Sequence, residues 1–184
     1  MTLPRKLEHE LRQGMVYLIV LIIFISVVLL FKINLVGILV SVFLMVIAAF
    51  SKIYKRFTSV SVGFETVTPT VILFAYKINI FFALAAAFIM LIASSFISGK
   101  MDFTSILMEM LTYAFMSSII LAFHTAPFVP LAVGMVIFRN LFMYPLGVVI
   151  LGRNFFHLLI VIVTDMALNI YLVVQFGNFF ASLL

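Results

Sequence analysis

Seven runs of apolar residues, at about 15–31, 34–51, 58–76, 78–97, 103–123, 128–151 and 154–177, take up nearly the whole chain. A helix needs roughly 20 apolar residues to cross the ~30 Å hydrocarbon core of a bilayer. The runs therefore predict an all-α, polytopic integral membrane bundle of about seven transmembrane helices, six if one falls short. The run at 58–76 is the one in question. It opens on Thr58-Ser59 and carries Glu65 and Pro69, which also suits a re-entrant or interfacial helix. With 66% hydrophobic and 9% charged residues, the chain has too little polar surface to cover a water-soluble globule. Lipid is the expected solvent, and no stretch is left to form a soluble catalytic domain.

Two regions follow. Residues 1–13 read as a short cytoplasmic amphipathic tail, because Leu3, Leu7 and Leu11 recur every four residues with charges between them. A frayed, solvated tail suits the same residues. Residues 14–184 read as a single transmembrane helical domain. The run Met15–Phe31 has no small-residue cleavage site after it, so it reads as a signal anchor.

The net charge of +5 does not point to nucleic acid. The basic residues sit at helix ends, where Lys and Arg mark cytoplasmic loops and snorkel to headgroups. With a cytoplasmic N-terminus, the inner side carries Arg5, Lys6, Arg12, Lys52, Lys55, Arg56, Lys100 and Arg153, and the outer side only Lys32 and Lys77. This orientation puts the chain in the plasma membrane with an external C-terminus. Cysteine is absent, which excludes disulfides, zinc–thiolate sites and iron–sulfur clusters. The three histidines are too dispersed to argue a metal site, and no cofactor motif is present, so no metal and no cofactor is expected.

Residues 32–48 and 77–93 share Lys-Ile-Asn and five further identities at an offset of 45: Leu39/Leu84, Phe43/Phe88, Met45/Met90, Ile47/Ile92 and Ala48/Ala93. Such duplication would make two parallel hairpins, a construction common in transporters. In the fourth run, Ala83 and Ala87, then Ser94 and Ser98, make a small-residue face at four-residue spacing. That face packs within the chain or docks a partner subunit.

Polar residues inside the runs carry the functional reading, since an ionisable group at the bilayer centre costs at least ~2.5–3.5 kcal/mol. Arg139 and Asp165 each lie 13 residues from Gly152, in the turn between the last two runs. In an antiparallel hairpin both stand about 20 Å from that turn, at one depth. The pair is either an ion-pair weld between two helices or the heart of a substrate or ion site. The last run adds a stripe of Asn154, His157, Val161, Asp165 and Asn169 at three- and four-residue steps, flanked by Thr164. Glu65 precedes Pro69 by four residues, so in a continuous helix its carbonyl would lose its N–H partner, leaving a cation or proton site. A kinked interfacial helix start with Glu65 in water is the alternative. Glu109 lies two turns inside the fifth run, near enough to headgroups to be solvated. No protease, hydrolase, nucleotide-binding or magnesium-binding constellation is present, and nothing argues for an enzyme.

From Glu65 to about Gln175 the chain resembles the substrate-binding S components of energy-coupling-factor vitamin transporters, and is similar to the rod-shape protein MreD. The residues concerned are Thr68-Pro69-Thr70 entering an apolar helix, the turn Tyr76-Lys77-Ile78-Asn79, the small-residue helix Ala83–Ser98 and three further spans. The turn lacks the glycines usual in the vitamin transporters. The resemblance implies six helices, a small-molecule binding role and partner ATPase or membrane subunits. Taken together, the residues predict a protein that binds or translocates a small solute or ion, with Arg139, Asp165, Asn169, His157, Thr164 and Glu65 lining the site. The alternative is a non-enzymatic membrane scaffold whose polar pairs only specify helix packing.

Overall fold

The computed structural model describes residues 35–57, 63–99, 102–151 and 155–184. Within them the chain is all-α, with six helices: α1 (Leu35–Phe50), α2 (Val67–Lys77), α3 (Ile80–Ser98), α4 (Phe103–Ala122), α5 (Phe128–Leu151) and α6 (Phe155–Leu183). A 3-10 turn, Ile53–Arg56, follows α1. The amphipathic tail and the first apolar run lie outside the described residues.

Helix ends follow local chemistry. Asn79 Oδ1 accepts from Phe81 N at 2.8 Å and starts α3, and Asp102 Oδ1 accepts from Thr104 N and starts α4; each satisfies an orphan donor of the first turn. Gly99 ends α3 with φ 69°, a left-handed position that suits glycine.

α3, α4 and residues Leu159–Leu183 of α6 are long and apolar enough to cross a membrane, and Val36–Phe50 and Phe128–Phe142 are shorter apolar helices. The bundle turns large apolar side chains outward, among them Phe81, Phe96, Phe103 and Phe156. Its interior holds Arg139, Asn140, Asp165 and Asn169. Apolar outside and polar within is the arrangement lipid demands. The chain is a helical, multi-pass membrane protein.

α2 is the centre of the bundle and contacts all five other helices. Seven of its residues are buried: Val67, Thr68, Thr70, Val71, Ile72, Leu73 and Phe74. A helix buried around its circumference needs no polar face, which is why Thr68 and Thr70 bond inward, Thr68 to Tyr113 and Thr70 to the Thr66 carbonyl. The small residues Ala83, Ala86, Ala87, Ser94, Ser95 and Ser98 of α3 are buried inside the chain, so that face packs α3 against its own neighbours.

Of the two forms that suit the run at 58–76, a continuous helix with Glu65 inside it and a shorter re-entrant or interfacial one, the described residues exclude the first. The helix instead starts at Val67 and ends at Lys77, about 16 Å of rise, half the hydrocarbon thickness. Residues 63–66 ahead of it are non-helical. Pro69 is the third residue of α2, where an N–H has no intrahelical acceptor in any case. It therefore frees no carbonyl of Glu65.

Candidate functional site

Buried backbone outside a helix must find partners for its N–H groups. The stretch 63–66 finds them on three neighbours. Gly63 N donates to Thr164 Oγ1 at 2.8 Å, Phe64 N to Tyr54 Oη at 3.4 Å and Thr66 N to Ser51 Oγ at 3.4 Å. Glycine at 63 is dictated by contact. A Cβ there would stand 2.3 Å from the Val161 carbonyl oxygen and 2.5 Å from the Asp165 Cβ. The stretch thus lies directly on α6 at Asp165.

This contact delivers Glu65 to the middle of the bundle. Five ionisable side chains meet there. Arg139 Nη1 donates to Asp165 Oδ2 at 2.9 Å. Arg139 Nη2 stands 3.6 Å from Glu65 Oε2 and 4.0 Å from Glu109 Oε2. Lys52 Nζ closes the other side, 3.0 Å from Glu65 Oε1 and 3.6 Å from Glu109 Oε1. The Arg139 guanidinium also lies 5.8 Å from the Tyr113 ring centroid, and Tyr113 Oη bonds with Thr68 Oγ1 at 3.2 Å. Three carboxylates and two cations leave these five groups one net negative charge.

Arg139 lies about 17 Å along α5 from Phe128, well inside that helix. Glu65 is only 6% exposed, and the water-facing position that suits an interfacial helix start is overturned. Lys52 and Glu109, which read as loop and headgroup residues in the sequence, are members of the cluster.

A neutral polar layer adjoins the charges. Asn140 and Asn169 are both fully buried, and their side-chain amides lie beside the Asp165 carboxylate. Asn140 Nδ2 donates to the Val136 carbonyl at 2.9 Å. Both amides turn N–H groups toward that carboxylate, and Asn140 Oδ1 is a buried acceptor with no hydrogen-bond partner; such an atom costs about 1–3 kcal/mol.

Of the residues predicted to line a site, Arg139, Asp165, Asn169 and Glu65 come together. Thr164 faces the same region but acts as a strut: its hydroxyl accepts from Gly63 N and donates to the Ile160 carbonyl. The His157 side chain and Asn154 lie outside the described residues. Lys52, Glu109, Tyr113, Asn140 and Gly63 belong to the site and escape sequence reasoning. Asn140, a second polar residue beside Arg139 in a long apolar run, was the most legible of these. Among the described residues no group of three or more His, Cys, Asp or Glu side chains could hold a metal ion.

A separate cavity of about 140 Å³ opens between α1, α2 and α6, lined by Leu44, Ile47, Pro69, Leu73, Val173 and Phe176 among others. It is almost wholly apolar, with Thr66 among its lining residues. No protein-family model, curated protein or solved structure matches the chain.

Proposed function

We propose that this protein binds or translocates a small solute or ion across the plasma membrane, alone or as the membrane subunit of a larger transporter. The observation that carries the reading is the broken third segment. A non-helical stretch ends in a half-length helix and brings Glu65 within 3.6 Å of Arg139 inside the bundle. Non-helical backbone is tolerated in a bilayer only inside protein or beside a water-filled cavity, and discontinuous helices of this kind build the midplane sites of secondary transporters. Four buried ionisable groups with a partly buried fifth, Glu109, are a costly way merely to hold helices together, since well-packed apolar residues serve as well or better.

The excess of Lys and Arg in one set of loops orients the chain with its N-terminus in the cytoplasm and its C-terminus outside. The resemblance to S components supports a partner that supplies energy. The solute site comprises Arg139, Asp165, Glu65, Asn169 and their neighbours Lys52 and Glu109.

Proteoliposomes on a solid-supported membrane test the reading. Exchange of the outer solution between salts, pH values and charged small solutes is expected to displace charge through the wild-type chain. Glu65→Gln should abolish the transient while the protein inserts normally. Currents equal to those of empty liposomes for every exchange would leave the cluster a packing device.

A further inference from the structure

The apolar cavity between α1, α2 and α6 has a further wall in Phe128, at the start of α5. Packing fixes that wall. The Phe128 ring meets Tyr76 on one side, with ring centroids 5.1 Å apart. On α6 it lies against Gly177, where a Cβ would stand 2.8 Å from Phe128 Cε1. Pro69 and Thr70 line the cavity from the start of α2, and Thr70 spends its hydroxyl on the Thr66 carbonyl at 2.9 Å. Walls this apolar do not hold water, which needs two to four polar partners. Two lining residues, Ile47 and Phe176, are also 41% and 46% exposed on the outer face of the bundle. The cavity therefore borders the surface that faces lipid.

We propose that this cavity is a binding site for one hydrocarbon chain of a membrane lipid. Its size suits such a guest: an apolar cavity of about 150 Å³ takes up benzene, and this one measures about 140 Å³. A helix, from a second copy or from elsewhere in the chain, is about 10–12 Å across with its side chains and is too wide to enter. Left empty, the lining atoms forfeit dispersion contacts on one side. Lipid hydrocarbon at the rim restores those contacts, and no polar group has to be desolvated. A chain in the cavity packs against Pro69 and Thr70, four and five residues after Glu65. It thus bears on the helix start that carries Glu65 into the charged cluster. The site depends on the bilayer environment alone and not on which solute the cluster binds.

Photolabelling from the lipid side tests the site. The full chain is reconstituted into phosphatidylcholine vesicles containing phosphatidylcholine with a diazirine on one acyl chain, then irradiated, and lipid adducts are mapped by mass spectrometry. Outward-facing Ile47 and Phe176 should be labelled in any case. Leu73 and Val173 line the cavity yet are only 4% and 2% exposed, so labelling there requires a chain inside it. Adducts are expected at both, and none at Val136 and Ala87, which are as deeply buried but do not line the cavity. Val173→Phe adds a ring to the cavity wall and should abolish the adduct at Leu73, while those at Ile47 and Phe176 persist. Should that variant fail to fold, the wild-type map decides alone. Leu73 and Val173 as free of adducts as Val136 and Ala87 would overturn the site, leaving the cavity empty or plugged by protein side chains. Undiminished labelling of Leu73 in folded Val173→Phe would overturn it too, as would labelling by a small apolar diazirine solute but not by the phospholipid. None of these failures would alter the charge displacement expected of the solute reading, so the two proposals stand or fall separately.

Discussion

Neutralising either partner of the closest ion pair should have unequal consequences. Arg139 faces carboxylate oxygens at 2.9, 3.6 and 4.0 Å. At an effective dielectric near 20, unit charges at those distances attract by about 6, 5 and 4 kcal/mol before desolvation. Arg139→Met removes all three attractions and leaves Asp165, Glu65 and Glu109 with Lys52 alone. Breaking a buried pair in this way costs about 3–5 kcal/mol, and we expect the upper end. Asp165→Asn leaves two cations facing two carboxylates, so Arg139 keeps more than half of its attraction. We expect about 1–3 kcal/mol for that change. Asparagine is the substitution of choice because a larger side chain would meet Gly63, which already lies against the Asp165 Cβ. The double variant should recover part of the combined loss, about 1–2 kcal/mol, and no more, since Glu65 and Glu109 still lack their arginine. Denaturant unfolding in mixed detergent micelles measures all four states of the cycle. Equal costs for the two single changes, or strict additivity in the double, would refute the shared cluster.

Further changes probe the framework around the cluster. Gly63→Ala should destabilise the chain by about 2–3 kcal/mol and lift the 63–66 stretch off α6, seen as a lowered melting point. Tyr113→Phe should cost about 1 kcal/mol through its bond to Thr68, without altering the ion pairs; a cost above about 3 kcal/mol in the same unfolding assay would mean the phenol does more. Asn79→Ala removes the cap of α3 and should cost about 1 kcal/mol, checked by the same unfolding curve.

Much of the fold was open to sequence reasoning because lipid imposes simple rules. Long apolar runs must be helices, and breaks at Lys77-Ile78-Asn79, Ser98-Gly99 and the turn after Ala122 fall where the helices end. The Arg139–Asp165 contact was accessible because two residues equidistant from a turn reach one depth in a hairpin. The broken third segment was harder. The greater polarity of residues 58–66 hints at a break, but only close contact with Val161 and Asp165 explains why glycine occupies position 63. Lys52 and Glu109 were hidden for another reason: they sit near helix ends, where headgroups ordinarily solvate charges. Tertiary packing brings them against each other and against Glu65 and Arg139, a long-range event with no local signature. Asn140 carried a local signal, a polar residue beside a buried arginine, and its role emerges once Asp165 is opposite it.

The central claim is that the charge cluster is a place that solute reaches from water. The chain has no cysteine, so one introduced at Thr68 can be followed alone. Thr68 is fully buried, bonded to Tyr113 beside Arg139, and Thr→Cys nearly preserves its volume. A membrane-impermeant thiol reagent applied to vesicles of either orientation should modify Cys at position 68, because opening of the site admits water to it. Ala87→Cys, buried among apolar side chains of α3, should stay unmodified over the same time. Position 68 remaining as inert as position 87 from both sides would contradict a solute site and leave a sealed ionic weld.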